Sequence, residues 1–337
     1  MSGEASVSAP GKTILFGEHA AVYGHAALVT ALDHRMTVRA RATSSGAPDT
    51  LHLSIPSLGI AKTVALPHDP ATVTEPGDLA LLAVTIGTEG VRSGQAAFDV
   101  LIESTIPPGS GFGSSAALAV AVVAACRRAC DDDPGLDEIA RLASAIESRQ
   151  HGRSSGVDVQ AVLRGGLLRC RRRDDGSLEY EELPGTATSL DAFRLFHSGT
   201  PRETTGDMVA QVRRLKDREP ARVGDAFATM DAATSEGCRA LLRGDAAGLL
   251  PIVRSAERAL EAIGVVSADV RATIRAIEAQ GGAAKISGAG GSTGAGAGLI
   301  LVVHPDPSWH DRFVPPAGWT AHRVPLGAPG LRMEAAA

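Results

Sequence analysis

Apolar and polar positions alternate over several stretches in the first half of the chain, a pattern typical of strands with one buried face. The alternation is clear in ALVTALDHRMTVRARA, and it returns just before a glycine-rich stretch. Pro10 and Gly11 are expected to interrupt the chain ahead of the first strand, and Pro56 and Gly59 divide a later one in two. The first half is therefore predicted to be a β-rich layer. Strands are predicted over Thr13–Phe16, Ala27–Ala42, two parts of Leu51–Leu66, and Ala97–Ile106.

Apolar residues spaced three and four positions apart predict helices, which dominate the second half of the chain. Composition shifts after Gly185, so we predict two domains, residues 1–186 and 187–337. A hairpin over Gly165–Leu183 with Asp175-Gly176 at its turn precedes the boundary. Helices are predicted over Pro76–Ser93, Ala116–Cys130, Leu136–Gln150, Thr205–Arg218, Ala221–Arg243, Ala246–Ala262 and Ala268–Gln280. Further strands are predicted over Phe193–His197, Leu299–Val303 and near Thr320–Pro325, with a short helix around Trp309.

The glycine-rich stretch IPPGSGFGSSAA joins a predicted strand to a predicted helix. Its glycines can adopt positive φ, and two serines stand where a helix would begin. Such a loop directs backbone N–H groups and the positive end of a helix dipole at one point, which favours a phosphate. A flexible turn that merely enters a core helix is the alternative. The residues predicted to contact a nucleotide are Pro108, Gly109, Ser110, Gly111, Phe112, Gly113, Ser114 and Ser115.

Composition narrows the choice of partners. The 337 residues carry a formal net charge of −5 and only 3% aromatic residues, which argues against a nucleic-acid surface. The four cysteines form no CxxC pair, so we expect reduced thiols in a cytoplasmic protein. The N-terminal sequence lacks the plan of a signal peptide, and the apolar run Ala116–Ala125 is too short to span a bilayer. No membrane partner is expected.

Lys12 lies in the sequence PGKTILFGE, whose letters GKT suggest a Walker motif. We reject that interpretation because the motif requires a glycine five residues before Gly11, where this chain has Ser6. Lys12 is either a phosphate-facing or catalytic lysine at a strand start, or a solvated surface lysine. The polar residues of EHAAVYGH follow the same strand, and polar groups at a strand end are often functional.

Glu147 and Asp158 are eleven positions apart, on either side of a Ser-Gly turn. The turn can fold Asp158 back toward the last turn of the helix that carries Glu147. Two carboxylates in one pocket could divide the work, one binding Mg²⁺ and one handling a proton. The alternative is an exposed glutamate on a helix and an aspartate in a loop.

A second glycine-rich stretch, Gly288–Gly298, lies between two predicted strands in GGAAKISGAGGSTGAGAGLILVV. It is not the dinucleotide fingerprint, because Thr293 stands where the third glycine would be. A mobile glycine loop between strands suits a flap over phosphates or substrate.

Three stretches in this order, PGKTILFGEHAAVYG, PPGSGFGSSAA and KISGAGG, resemble the kinases named for galactose, homoserine, mevalonate and phosphomevalonate. Within that superfamily, GEHAAVYG, ESRQHGRSSGVD and SGTPRETTGDMVAQVRRL resemble the mevalonate kinases. The resemblance implies an α+β, two-domain small-molecule kinase fold. Its N-terminal domain would be a ribosomal-protein-S5-like β/α domain, its C-terminal domain a ferredoxin-like α/β domain, and its active site the cleft between them.

The resemblance also implies ATP and Mg²⁺ as cofactors, mevalonate as the small-molecule substrate, and a possible homodimer. Asp158 would accept the proton of the 5-hydroxyl, and Lys12 would stabilise charge on the transferred phosphoryl group. Ser114 or Ser115 would hold the metal together with Glu147. The residues implied to contact the substrate are Glu18, His19, Thr204, Thr205 and Gly290.

Other functions stay open as alternatives. The chain departs from the usual pattern at Ser154, where most mevalonate kinases have proline, and in the continuation GAGGSTGAGAG of the third motif. A kinase of phosphomevalonate or another small hydroxylated molecule is the first rival. A non-catalytic metabolite sensor on the same fold is the second. A decarboxylase of the same fold is disfavoured because Lys12 is present.

Overall fold

The computed structural model describes residues 3–43, 49–68, 73–91, 97–107, 109–151, 155–184 and 191–335. Within these residues, strands form two sheets against which the helices pack, so the expected α+β class is confirmed. The strands are β1 Gly3–Phe16, β2 Ala26–Thr43, β3 Thr50–Ile55, β4 Ile60–Ala65, β5 Ala97–Ser104, β6 Leu167–Arg172, β7 Leu178–Leu183, β8 Phe193–His197, β9 Ala283–Ser287, β10 Leu299–Val303, β11 Thr320–His322 and β12 Arg332–Met333. The helices are α1 Pro76–Thr88, α2 Ser114–Ala129, α3 Leu136–His151, α4 Val157–Arg164, α5 Thr205–Arg218, α6 Pro220–Leu242, α7 Ala246–Ala262, α8 Ala268–Ala279 and α9 Trp309–Arg312.

The larger sheet is built around the long antiparallel pair of β1 and β2. Its strand order is β12-β1-β2-β5-β3-β4, and β3 and β5 are parallel. The two halves of β2 have different partners, because Met36–Thr43 pairs with β5 while Ala26–Thr30 pairs with β6 of the β6–β7 hairpin. Strand β2 thus joins the β6–β7 hairpin to the rest of the sheet and holds it beside the end of β1.

Strand β1 is longer than the sequence pattern predicts. The prediction that the strand begins at Thr13 is wrong, because pairing with β2 continues through Pro10 and Gly11. The register shifts between these two residues, which is the bulge that accommodates a residue without an N–H donor inside a strand. A Cβ at Gly11 would lie 2.8 Å from the carbonyl oxygen of Phe112, so glycine lets β1 approach the first glycine-rich loop.

Helix α2 follows that loop and is buried along nearly its whole length against β1, β2, α1 and α3. Its alanine and valine side chains are small, which allows close packing, and a Cβ at Gly87 of α1 would lie only 3.2 Å from the Val123 Cα. A core with few aromatic residues is therefore built from small aliphatic ones.

The smaller sheet has the antiparallel order β11-β8-β10-β9 and forms part of the same buried cluster as the larger one. Ser287, at the end of β9, joins the two sheets. Its hydroxyl lies 2.9 Å from the Thr13 hydroxyl and accepts the Ile14 N–H at 3.1 Å. These contacts hold β9 beside the end of β1, where polar residues of both sheets meet.

Most predicted elements are confirmed to within a few residues, including the β6–β7 hairpin and strands β8 and β10. Helix α4 and strand β12 are absent from the sequence-based predictions. The boundary predicted at residues 186 and 187 lies outside the described residues, so the domain division stays a prediction; β12 pairs with β1 in the larger sheet. Among the described residues, none of the helices combines the length and the apolar character needed to cross a bilayer.

Candidate active site

A cleft of about 510 Å³ lies where the two sheets meet. It is lined by the end of β1, the first glycine-rich loop, the facing parts of α3 and α4, and two loops of the smaller sheet. The structure thus brings most of the sequence-predicted site residues together. Those that line the cleft are Lys12, Glu18, His19, Gly109, Gly111, Gly113, Ser114, Ser115, Glu147, Asp158, Thr204, Thr205 and Gly290.

The first glycine-rich loop has the geometry of an anion site. Gly109, Gly111 and Gly113 all have positive φ, at 65°, 82° and 76°. Gly113 is the N-cap of α2, and no side chain among the described residues forms a cap hydrogen bond at this end of the helix. The N-terminus of α2 therefore points its helix dipole into the cleft, where it favours negative charge.

Lys12 and Asp158 form an ion pair inside the cleft. The Lys12 Nζ lies 2.9 Å from the Asp158 Oδ2, with the lysine side chain buried and the aspartate one-third exposed. Lys12 is fixed from its backbone, because its N–H donates to the Phe112 carbonyl at 2.8 Å. Asp158 sits in the first turn of α4, which begins after Gly156 with φ of 79°. The Ser-Gly turn does fold Asp158 back into the pocket.

Glu147 and Ser115 form the second polar pair. The Ser115 hydroxyl donates to Glu147 Oε1 at 2.6 Å, across the interface of α2 and α3. Burial raises the pKa of Glu147 to about 7, against the opposing effect of that hydrogen bond. A buried carboxylate of this kind is suited to a bound cation, which would lower this pKa again.

The donor set at this pair fits Mg²⁺. No group of three or more His, Cys, Asp or Glu residues suited to a metal exists among the residues that the structure describes. A nucleotide-linked Mg²⁺ does not need one, since it binds through one or two carboxylates plus phosphate oxygens and water. Glu147 and the Ser115 hydroxyl supply hard oxygen ligands beside the predicted phosphate position.

The Glu18 carboxylate contacts a buried lysine that the sequence did not predict as part of the site. Lys285 on β9 forms an ion pair with the Glu18 carboxylate and donates to the Ile286 carbonyl at 2.7 Å. Burial raises the pKa of Glu18, while the neighbouring Lys285 opposes that shift. The Ile286 N–H donates to Glu257 on α7 at 3.0 Å. Glu18, Lys285 and Glu257 thus form a buried polar cluster beside the cleft.

His19 faces the second glycine-rich stretch. Its Nε2–H donates to the Ala289 carbonyl at 3.0 Å, and its backbone has a φ of 58°, which is unusual for a residue with a side chain. Burial lowers the pKa of His19, so the ring is neutral at pH 7. The histidine therefore acts in the cleft as a hydrogen-bonding group and not as a cation.

Comparison with known proteins finds relatives of this chain in sequence and in fold. The family profile described as GHMP kinases N terminal domain matches residues 78–166. The mevalonate kinase of Archaeoglobus fulgidus is 35% identical over 84% of this chain and 88% of that protein. The mevalonate kinase of Methanothermobacter thermautotrophicus is 31% identical over 97% and 99%, and the human one 27% identical over 98% and 95%.

The chain belongs to the mevalonate kinase family. Solved structures show the same fold: the mevalonate kinase of Methanococcus jannaschii aligns with a TM-score of 0.75 at 19% identity, over 98% of each chain. A galactokinase of Lactococcus lactis, solved with galactose, also aligns with a TM-score of 0.75, at 16% identity over 98% of this chain and 95% of that one. These alignments confirm the two-domain kinase fold that the motifs predict.

Some predicted residues have other roles in this member of the mevalonate kinase family. The Ser110 hydroxyl donates to the Pro107 carbonyl at 2.6 Å, and Phe112 is buried edge-on against His322, so both are left with only backbone groups for a nucleotide. The Thr204 hydroxyl caps helix α5 by accepting the Asp207 N–H at 3.1 Å. Pro108 and Ser154 lie outside the described residues. These assignments stay predictions.

Three polar residues of the cleft region were not foreseen: Lys285, Arg202 and Glu203. Arg202 lines the cleft and forms no ion pair with any described residue. Glu203, beside it, binds two hydroxyls of the opposite loop. Lys285 had a signal in the sequence, since a lysine between apolar residues in the strand AAKIS must find a partner if the strand is buried.

Proposed function

We propose that this chain transfers the γ-phosphoryl group of ATP to the 5-hydroxyl of (R)-mevalonate, giving 5-phosphomevalonate for isoprenoid synthesis. The observation that carries the proposal is the Lys12–Asp158 pair, 2.9 Å apart in the same cleft as the N-terminus of helix α2, whose N-cap is Gly113. Membership of the mevalonate kinase family supplies the substrate. The acceptor and the nucleotide would meet between the two sheets.

The nucleotide would lie on the first glycine-rich loop. The N–H groups at the start of α2 and the glycine backbone would bind the phosphate oxygens and orient the terminal phosphate toward Lys12. Phosphoryl transfer depends mainly on such positioning and on charge stabilisation, since little covalent chemistry falls to the protein.

Ser115 and Glu147 would hold the Mg²⁺ of the nucleotide. When bound, the cation neutralises charge on the phosphate oxygens. Glu147 must be ionised for that task, and its raised pKa of about 7 means that protons compete with the cation in mildly acidic solution.

Asp158 would orient the acceptor hydroxyl and receive its proton at a carboxylate oxygen. Lys12 keeps one oxygen of this carboxylate in place and brings a positive charge to the position where the phosphoryl group is transferred. The one-third exposure of Asp158 leaves its carboxylate accessible from the cleft.

The acceptor end of the cleft would recognise a hydroxylated carboxylate. Among the described residues, Lys12 and Arg202 are the cationic side chains that line the cleft, and Lys12 is already paired. Arg202 is therefore suited to the substrate carboxylate, since a guanidinium binds carboxylates in a fork. His19 and Glu18 would bind the remaining hydroxyl.

We also propose that the protein works in a reducing, cytoplasmic setting. The described cysteines form no disulfide with one another, and three of the four are buried.

We further propose a homodimer, which the family resemblance implies. Light scattering coupled to size-exclusion chromatography at working concentrations tests the dimer, since a monomer mass would contradict it.

An ADP-release assay with purified protein, ATP and Mg²⁺ tests the activity, with mevalonate, phosphomevalonate, homoserine and galactose compared as acceptors. We expect turnover with mevalonate and a product identified as the 5-phosphate. Turnover with another acceptor alone would refute the substrate but keep the reaction class. Tight ATP or mevalonate binding without turnover would favour a metabolite sensor.

A further inference from the structure

The second glycine-rich stretch is fastened along its length to a neighbouring loop. We call residues 288–298 the wall loop and residues 198–204 the support loop. At one end, the Ser198 hydroxyl accepts the Ala297 N–H and donates to the Gly298 carbonyl, both at 2.9 Å. The Gly298 N–H donates to the Gly199 carbonyl at 3.0 Å. The wall loop is therefore not the loosely held flap that its glycines suggest.

Glu203 fastens the tip of the wall loop. The hydroxyls of Ser292 and Thr293 both donate to one oxygen of this carboxylate, Oε1, at 2.5 Å and 2.9 Å. These hydrogen bonds lower the pKa of Glu203, so the carboxylate is ionised at pH 7 and both bonds are charge-assisted. The other oxygen, Oε2, is buried beside Gly291 and forms no hydrogen bond with the side chains and backbone that the structure describes.

Ser292 and Thr293 are the residues of the wall loop that are neither glycine nor alanine. Glycine at 292 and 293 would leave the Glu203 carboxylate without its two donors. The carboxylate and the hydroxyls, which come from different loops, thus form one matched unit that the sequence alone does not reveal.

The position of this unit determines which part of the cleft it controls. The half of the wall loop nearest the first glycine-rich loop has its own anchors, because Ser198 binds Gly298 and Ser267 donates to the Gly294 carbonyl at 2.5 Å. The other half carries Ala289, which accepts the hydrogen bond from His19 at the acceptor end. In that half the backbone of Gly291 is bridged to Val266 through its N–H bond to Val265, and Glu203 adds the side-chain hydrogen bonds at the tip.

We propose that Glu203 is a positioning residue which, through Ser292 and Thr293, holds the acceptor half of the wall loop in place and so sets the affinity for the acceptor but not for ATP. This inference rests on the proposed function for the identity of the acceptor. It assigns no chemical step to Glu203, since the residue acts through Ala289 and His19.

The test measures KM for mevalonate, KM for ATP and kcat in Glu203→Ala, in the double variant Ser292→Gly with Thr293→Gly, and in the triple combination. We expect either change to raise KM for mevalonate about tenfold, the scale of one or two lost charge-assisted hydrogen bonds. KM for ATP should stay within about twofold, and the triple variant should be no worse than Glu203→Ala, because both changes remove the same unit.

Glu203→Gln keeps an acceptor oxygen for the hydroxyls and should recover most of the affinity. Asp175→Ala is the matched control, since Asp175 also accepts from a serine hydroxyl, at 2.6 Å from Ser177, but on the exposed turn of the β6–β7 hairpin away from the cleft. It should leave both KM values unchanged.

Three kinetic results would overturn the proposal: unchanged KM for mevalonate in Glu203→Ala, an equal rise in both KM values, or additive effects in the triple variant. Hydrogen exchange of residues 288–298 provides a readout that needs no substrate. Faster exchange in residues 289–293 of Glu203→Ala supports the proposal, and unchanged exchange contradicts it. If the wild-type protein uses another acceptor, the proposed function fails while this exchange result still decides the role of Glu203.

Discussion

Gly113 and Lys12 are packed so tightly that a side chain on the glycine would displace the lysine. A Cβ at Gly113 would lie 2.6 Å from Cγ and 2.8 Å from Cε of Lys12. The aliphatic part of the Lys12 side chain therefore packs directly against Gly113 at the start of helix α2. The first glycine-rich loop and the Lys12–Asp158 pair are therefore packed directly against each other.

Replacing this glycine should damage catalysis more than stability. We expect Gly113→Ala to move Lys12 away from Asp158 and to lower kcat by about a hundredfold, the scale of a misplaced catalytic group. Gly244→Ala is the control, because Gly244 also has positive φ, 68°, but a Cβ there would meet nothing within 4 Å. Both variants should lose about 1 kcal/mol of unfolding free energy from backbone strain. Equal kcat in the two variants would contradict the packing argument.

The Lys12–Asp158 pair should behave as a unit in kinetics. We expect Asp158→Asn and Lys12→Met each to lower kcat by about a hundredfold or more, the usual scale for a lost general base or electrostatic group. The double variant should be far less impaired than the product of the two effects, because either change already breaks the pair. Near-normal kcat in folded Asp158→Asn would remove that residue from the proposed role.

The Ser115–Glu147 contact distinguishes the two serines at the start of α2. We expect Glu147→Gln and Ser115→Ala to raise the Mg²⁺ concentration needed for half-maximal activity by about tenfold. Ser114→Ala should have a smaller effect, since the Ser115 hydroxyl is the one that contacts Glu147, at 2.6 Å. A Mg²⁺ titration at saturating ATP measures this, and an unshifted titration in Glu147→Gln would refute the assignment.

Glu257 should make stability depend on pH. Burial raises the pKa of Glu257 to about 8, with the hydrogen bond from the Ile286 N–H opposing the shift. The folded state therefore keeps a proton that the unfolded chain loses above its ordinary pKa of 4.5. The stability that this proton contributes is complete below pH 4.5 and is lost as pH rises through about 8.

Glu257→Gln removes this titration without changing the shape of the side chain. Urea unfolding between pH 5 and 8 should show the wild-type protein losing up to about 1.4 kcal/mol per pH unit relative to the variant. Glu18, Lys285 and Glu261 also lie near this carboxyl, and all three are kept in both proteins. Parallel pH profiles for the two proteins would show that Glu257 is ionised in the folded state.

Much of the fold follows from local pattern. Strands β2, β5, β8 and β10 were predictable because alternating or continuous apolar runs end at clear turn residues. The start of β1 was not, since a Pro-Gly pair normally ends a strand, and only pairing with β2 allows a bulge to absorb it. Helix α4 escaped notice because eight residues between Gly156 and Gly165 give too short a pattern.

The site was predictable where the chemistry lies within one motif. Lys12, Glu147 and Asp158 were found from the residue types and the family resemblance, and they line one cleft. Contacts between distant segments were not predictable, since the pairing of Glu203 with Ser292 joins residues that no local pattern connects. The Thr204 cap had a readable signal, because Thr204 and Asp207 have the spacing of a capping box.

The pairing of β12 with β1 places Met333 beside Val7, and Glu334 donates its N–H to the Ser6 carbonyl at 2.9 Å. This edge of the larger sheet is thus completed by residues that are synthesised long after β1. Until Arg332 and Met333 have been synthesised and have paired, that edge of β1 stays uncovered. A nascent chain arrested before residue 332 is therefore expected to be recognised by chaperones that bind open strand edges.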